Sequence, residues 1–395
     1  MLTLAATLSG LAWIYLALGH GRYWRADQRI GPEPETGLPA PSVVAVVPAR
    51  DEADVIGEAI ASLVSQDYPG LFHVVLVDDR SSDGTAAAAR AAAEAAGRAD
   101  RLTIVTAPPL EAGWVGKLWA VSAGLREAAL CAPDARYALL TDADIRHPRD
   151  NVRRLVAKAE REGHDLVSLM VRLHCRSFWE HRLIPAFVYF FQLLYPFPRV
   201  NDRRSRVAGA AGGCMLVRRE ALERAGGIAA IRGAIIDDCE LASRLKPNGS
   251  IWLGLATDVR SLRPYRGLAG IWHMIARSAF TQLRHSVLLL ALMVLAFTIV
   301  FFVPPAAVAW GLVSGSAAPF LLGAGAWTIM ALIYVPALRL YGRPALESVL
   351  LPFIGFLYVL MTIDSARAHW AGRGGAWKGR TYPAAPNARP DHQDR

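Results

Sequence analysis

The chain is 395 residues long, with 53% apolar residues, 19% charged residues and a formal net charge of +9. So little charge in so apolar a sequence excludes a disordered chain or a collagen-like repeat, and four cysteines exclude a disulfide scaffold. The basic excess would suit a nucleic-acid binder, but no helix-turn-helix, zinc or RNA-binding motif is present, and the Lys and Arg residues cluster beside apolar runs as positive-inside flanks do.

In chain order, Leu2–Leu18 is uncharged and at the lower length limit for a spanning helix. Arg22, Arg25 and Arg29 follow it, which favours an anchor with its C-terminal end in the cytoplasm. A signal peptide is the rival, but it lacks a basic start and a small-x-small cleavage site. Residues 31–41 are rich in Pro and Gly and read as a linker. Strands and helices then alternate. Strands are predicted at Ser42–Val47, Phe72–Val77, Leu102–Val105 and Tyr137–Leu140, and helices at Asp54–Ser65, Thr85–Ala96 and Leu118–Leu130. This order predicts a parallel sheet with right-handed crossovers, and such sheets bind ligands beyond the carboxyl ends of their strands.

Phe178–Phe197 is aromatic-rich and opened by the charged cluster Arg176, Glu180, His181 and Arg182. It reads as a helix lying on the membrane surface, with a buried core helix as the competing reading. Three further apolar stretches cover Val287–Val313, Ala317–Leu338 and Leu346–Ile363. Arg277 and Arg284 precede the first, Arg339 and Arg343 follow the second, and Arg367, Arg373, Lys378 and Arg380 follow the third. Basic residues thus place both ends of the third stretch in the cytoplasm, which a single crossing does not satisfy. Pro352 and Gly355 point to a re-entrant or interfacial segment; a break at Pro304-Pro305, splitting the first stretch in two, is the other solution.

The strand ends carry the chemistry. Pro48-Ala49-Arg50-Asp51-Glu52 follows the first strand, Asp78-Asp79-Arg80-Ser81-Ser82-Asp83-Gly84 the second, and Asp142-Ala143-Asp144 the fourth. Carboxylates gathered on one face cost energy unless a cation or hydrogen-bond donors compensate. Asp142 and Asp144, two residues apart, can both reach one divalent ion; their hard oxygens suit Mg²⁺ or Mn²⁺, whose shell substrate phosphates often complete. Turn formation is the plain alternative for this pair, and helix capping is the favoured role of Asp83. Neither a phosphate-binding G-x-x-x-x-G-K-[ST] loop nor a dinucleotide G-x-G-x-x-G is present. Lys117 nevertheless opens a helix, where its charge and the helix N–H groups can meet a phosphate; a solvated lysine is the alternative. No cysteine stands in a C-x-x-C pair, so the four read as reduced residues without metal or redox chemistry.

The segments 48–52, 77–85, Gly113–Lys117 and 142–144 together resemble family 2 inverting glycosyltransferases. With the apolar flanks, they are similar to the bacterial hopanoid-biosynthesis-associated group. The resemblance spans about residues 42–285 and implies an α/β fold: a GT-A nucleotide-diphospho-sugar transferase with a Rossmann-like, mostly parallel sheet and flanking transmembrane helices. It identifies Gly212-Gly213 as part of an acceptor-side segment and Asp237-Asp238 as the late acidic motif, in which Asp238 would be the general base. An inverting transfer needs one carboxylate to take the acceptor hydroxyl proton. Three positions depart from the family pattern. Asp237 stands where Glu is commoner, and Ser122 where Asn is frequent. Met274–Ser278 keeps only Arg277 of the Gln-x-x-Arg-Trp motif of processive members, which argues against polymer synthesis. Trp377–Tyr382 is similar to a tail of lipid-modifying relatives.

The expectation is therefore a membrane-bound, metal-dependent sugar transferase of the bacterial inner membrane, with its catalytic domain in the cytoplasm. Pro48, Arg50, Asp51, Glu52, Asp78, Asp79, Lys117 and Asp142 would bind a nucleotide sugar, with UDP as the expected nucleotide. Asp142 and Asp144 would hold the metal. Gly212, Gly213, Asp237 and Arg277 would face a lipid acceptor; Arg277 serves equally well as the basic flank of a membrane span. Residues 1–20 would be the anchor, 42–285 the catalytic domain, 286–365 the membrane block and 366–395 a basic tail. The alternatives are a polysaccharide synthase and a non-catalytic scaffold on a transferase fold; a scaffold would not bind UDP with Mn²⁺.

Overall fold

The computed structural model describes residues 1–31, 40–373, 376–377 and 380–381. The linker expected at 31–41 and the tail expected at 366–395, including Trp377–Tyr382, fall mostly outside the described residues.

After a first helix, α1 (Leu2–Leu18), the strands and helices alternate as expected: β1 (Val43–Ala49), α2 (Ala53–Val64), β2 (Phe72–Asp78), α3 (Thr85–Ala95), β3 (Leu102–Thr106), α4 (Gly116–Cys131) and β4 (Tyr137–Thr141). β1 is buried along its whole length because helices cover both faces of the sheet, which is why its sequence is continuously apolar. α2 buries Ile56, Ala59, Ile60 and Leu63, one face of a 3.6-residue period. Then come β5 (Ile145–Arg146), α5 (Asn151–Glu162), β6 (Leu166–Arg172), α6 (Phe178–Leu194), α7 (Phe197–Asn201), β7 (Cys214–Arg218), α8 (Arg219–Arg224), α9 (Asp237–Leu245) and β8 (Ile251–Ser261).

These strands form one eight-stranded sheet in the order β3-β2-β1-β4-β7-β6-β8-β5. β1 to β4 are mutually parallel, as the alternating order predicts, but β7 runs antiparallel to both β4 and β6. The sheet is therefore mixed. Two pairings shape the site. Thr141 of β4 lies opposite Cys214 of β7, which brings Gly212 and Gly213 beside Asp142. Ile145 of β5 lies opposite Ser261 of β8, which brings the chain after β8 beside Asp144.

The chain continues through α10 (Gly267–Ala276) and α11 (Ala279–Gln282) into α12 (Val287–Phe297), α13 (Val303–Ser314), α14 (Ala317–Leu340) and α15 (Leu351–Trp370). β9 (Ala376–Trp377) and β10 (Arg380–Thr381) pair as a short antiparallel ladder. The described residues hold three helices long and apolar enough to cross a membrane: Val287–Ser314, Ala317–Leu340 and Ala345–Trp370; Leu2–Leu18 is apolar but shorter. Pro304-Pro305 does not split the first of these. The chain passes through a π-helical turn at Thr298–Phe302 and stays helical, because prolines in the first turn of α13 give up N–H groups that the irregular turn leaves unneeded.

The expectation of a surface-lying helix at 178–197 is corrected. α6 is enclosed: Ile184 and Val188 join the core beneath the sheet, and Leu183, Ala186, Tyr189 and Phe190 join a second core with α10, α14 and α15. Its aromatic residues find partners on both flanks, so the apolar composition that signals a membrane surface serves burial. A capping box between Ser177 and Glu180 starts it. α1 is fastened to the same unit: the Tyr23 and Tyr189 hydroxyls meet at 2.6 Å, and Gln192 donates to the carbonyls of Tyr23 and Arg25.

Candidate active site

The cleft lies beyond the carboxyl ends of β1, β2 and β4. At the first tip Asp51 adopts φ +50° and at the second Arg80 adopts φ +56°, left-handed conformations that cost energy in residues other than glycine. Hydrogen bonds between the tips hold them: Asp51 Oδ1 accepts from the Ser82 N–H (2.9 Å) and the Asp51 N–H donates to Ser81 Oγ (3.0 Å). Arg50 donates to the Asp79 carbonyl (2.7 Å) and pairs with the buried Asp79 carboxylate (3.6 Å). Asp78 Oδ1 accepts from the Ser81 N–H (3.0 Å). Asp83 is not itself an N-cap, since Gly84 and Glu52 hold those positions; its carboxylate accepts from the N–H of Thr85 (3.0 Å) and of Ala53 (2.9 Å), the first residues of α3 and α2.

Lys117, in the first turn of α4, is the electrostatic centre. Its ammonium lies 2.9 Å from Asp142 Oδ1 and 3.1 Å from Asp237 Oδ2. Burial works against that charge, but Asp142 and Asp237 outweigh it and lift its pKa above the usual lysine range. Asp142 is held above the ordinary carboxylate range, by burial first and by the repulsion of Asp144, against the pull of Lys117. Asp238 opens α9. Its Oδ2 accepts from the Gly212 N–H (2.8 Å) and its Oδ1 from the Cys239 N–H (2.7 Å). Burial, then Asp237, push its pKa up to about 6, against Lys117 and these two donors. A Cβ on Gly212 would sit 3.3 Å from both Asp238 Oδ2 and Lys117 Nζ, so glycine keeps this junction open. Pro48, Thr141 and Met215 line the same cleft.

The carboxylates outnumber the cations here. Lys117 takes Asp142 Oδ1; Ser261 Oγ (2.7 Å) and Arg263 Nε (3.4 Å) take Asp144 Oδ2. Among the described residues no hydrogen bond or ion pair engages Asp142 Oδ2 or Asp144 Oδ1, and no group of three or more His, Cys, Asp or Glu forms a metal cage. That donor set fits a hard divalent ion whose remaining ligands are water and phosphate oxygens.

The sequence-level candidates converge unevenly. Pro48, Lys117, Asp142, Gly212 and Asp237 line one cleft, and Asp238 and Asp144 flank it. Asp51, Asp78 and Asp79 sit at the adjoining strand tips. Gly213 packs behind, its carbonyl accepting from Thr141 Oγ1 (2.7 Å). Arg277 ends α10, and its side chain makes no ion pair among the described residues. Three contributors are not among the candidates read from the sequence. Arg263 bridges Glu52 and Asp144. His147, buried and held neutral by burial with its pKa lowered to about 3, braces Thr141 from behind. Glu180 is buried, yet hydrogen bonds from the N–H groups of Ser177, Tyr265 and Arg176 and from His174 hold its pKa down to about 2. It thereby ties the start of α6 to the loop that carries Arg263.

The profile described as "Glycosyl transferase family 2" matches residues 44–226, and that described as "Glycosyl transferase family group 2" matches 137–359, more than half of the chain. No curated protein matches. Among solved structures, the chain is similar to the mannosyltransferase PcManGT from Pyrobaculum calidifontis in complex with GDP-Man and Mn²⁺. The TM-score is 0.52 at 20% identity over 92% of this chain and 99% of that one. It is also similar to S. aureus TarS 1–349 in complex with UDP-GlcNAc, with TM-score 0.42 at 14% identity over 84% of this chain and 92% of that one. At 20% identity the likeness to the mannosyltransferase is one of fold, the GT-A fold.

Proposed function

The chain belongs to the family group 2 glycosyl transferases, and from that premise we propose that it is an inverting, metal-dependent enzyme that moves a sugar from a nucleotide sugar to a lipid hydroxyl. The observation that carries this reading is the junction of Lys117, Asp142, Asp237 and Asp238 in one cleft. There a cationic pole for a diphosphate lies beside a carboxylate of raised pKa. Asp51, Asp78 and Asp79 hold the nucleoside end. Lys117 steadies the diphosphate as negative charge builds on it. Asp142 and Asp144 would hold Mg²⁺ or Mn²⁺, which when bound would neutralise that same leaving group.

Asp238 takes the proton of the acceptor hydroxyl. The acceptor oxygen bonds to the anomeric carbon from one face while the bond from that carbon to the phosphate oxygen breaks on the other, releasing the nucleoside diphosphate. The two backbone N–H groups on Asp238 hold its carboxylate in place for this transfer.

What adjoins the base supports a lipid acceptor. Tyr195, just after α6, lies beside Cys239, the residue next to the base, and exchanges hydrogen bonds with Gln282 of α11; both α6 and α11 pack on α15. The base is thus one layer from the apolar helices. The hopanoid-associated subgroup is the reading that the flanking apolar segments favour. Residues 1–20 then serve as anchor, 42–285 as the cytoplasmic catalytic domain, 286–365 as the membrane block of an inner-membrane protein and 366–395 as a basic tail. Incubating membranes that contain the protein with a panel of radiolabelled nucleotide sugars tests the proposal. Label in an organic-extractable lipid is expected; label only in water-soluble or polymeric product would sink the lipid assignment.

A further inference from the structure

We propose that α15, although long and apolar enough to cross, does not cross the bilayer. It lies in the leaflet on the side of the catalytic unit and presents an apolar face to lipid. This inference is independent of the chemistry proposed above.

Both ends of the segment are fastened to the catalytic unit. Before it, Tyr341 is buried in the core beneath the sheet, and its hydroxyl accepts from the Leu173 N–H (3.3 Å). Glu347 pairs with Arg182 of α6 (2.7 Å), two residues from Glu180, which itself holds Tyr265 of the site loop. Midway, the Tyr358 hydroxyl donates to the Leu183 carbonyl (2.9 Å). At the far end, Asp364 accepts from Trp272 Nε1 of α10 (2.9 Å), Ser365 Oγ accepts from the Phe280 N–H of α11 (3.0 Å), and His369 stacks on His285 at 4.1 Å.

A helix of 20 residues is about 30 Å long, the thickness of the hydrocarbon core. If α15 stood across the bilayer, one of these two sets of contacts would have to lie on the opposite side from the domain that makes it.

The two faces agree with an embedded helix. Leu351, Ile354, Tyr358 and Met361, at helical spacing, are buried in the core that α6 and α10 share with the other apolar helices. Phe353 and Phe356 are exposed on the other face, 56% and 46%, where a leaflet would cover them. The occupant is a lipid surface because α14 delivers the chain there directly. The placement also resolves the charge pattern. With α1, Val287–Ser314 and α14 as three crossings, Arg22 and Arg25, Arg339 and Arg343, and Arg367 and Arg373 all fall on one side.

Single cysteines placed at exposed positions in a background whose native cysteines are replaced by serine test this: Ala345→Cys before the segment, Ala371→Cys after it, and Ser316→Cys in the α13–α14 turn, with a separate protein that keeps only exposed Cys131 as the catalytic-side marker. A membrane-impermeant maleimide is applied to sealed spheroplasts and to inverted vesicles. Positions 345 and 371 should both label only where Cys131 labels, and 316 only in the opposite preparation. Labelling of 345 and 371 from opposite sides overturns the proposal. Leu346→Cys and Arg373→Cys form a second pair, so a poorly folding first variant does not decide the outcome.

Discussion

Different forces hold the catalytic unit and the long apolar helices together. Beneath the sheet tips, side chains that are costly to bury are each matched: Glu180 by three backbone N–H groups and His174, Asp238 by two N–H groups, His147 by Thr141 and Asn151. Polar satisfaction there sets geometry. Between α13 and α14 the contact is made by missing side chains instead. A Cβ on Gly311 would lie 2.6 Å from Phe320 Cβ, and one on Gly323 2.7 Å from the Pro304 carbonyl oxygen. In a bilayer, such close approach would replace a hydrophobic drive that lipid does not supply. Function should therefore fail from single charges in the first region, and stability from added volume in the second.

The sharpest break is Asp238→Asn. It keeps the size and loses the base, so turnover should fall about 10³-fold with nucleotide binding intact. Turnover near the parent's would remove Asp238 from the chemistry. Asp142→Ala should cost about 100-fold and weaken binding of UDP in the presence of Mn²⁺, measured by calorimetry; unaltered Mn²⁺-dependent binding would contradict its role.

Glu180→Gln tests positioning. Because the folded Glu180 carboxyl titrates well below its unfolded value, its contribution is fully present above about pH 4.5 and is lost as pH falls towards about 2. The variant should be destabilised by about 2 kcal/mol at pH 7. The gap to the parent should close in thermal melts between pH 5 and pH 2; a gap constant over that range would show that the charge is irrelevant.

Gly323→Val should cost about 1.5 kcal/mol by overpacking and leave the KM of the folded fraction unchanged. A large KM change with no loss of stability would erase the contrast between the regions. The smallest effect is in pH dependence. With the Asp238 pKa raised to about 6, turnover should climb as pH rises through 6, about tenfold from pH 5 to pH 7. A limb centred near 4 would mean that another carboxylate controls the step.

How much of this was legible in the sequence follows from distance along the chain. The alternating strands, the carboxylates at three strand tips and Lys117 at a helix start could all be read, because local propensity and strand-end placement act over a few residues. The acidic pair 237–238 could be read only by resemblance, since nothing near it announces that its partner is the backbone of Gly212. Arg263 had no signal: a single arginine far from Glu52 and Asp144 in sequence meets them only because β8 pairs with β5. The same holds for the reversed β7, whose antiparallel pairing within a mostly parallel sheet no local pattern announces. For Phe178–Leu194 and Leu351–Trp370, composition established that apolar surface must be covered. Whether protein or lipid covers it was decided by tertiary contacts, because hydrophobic burial has no direction and accepts either partner.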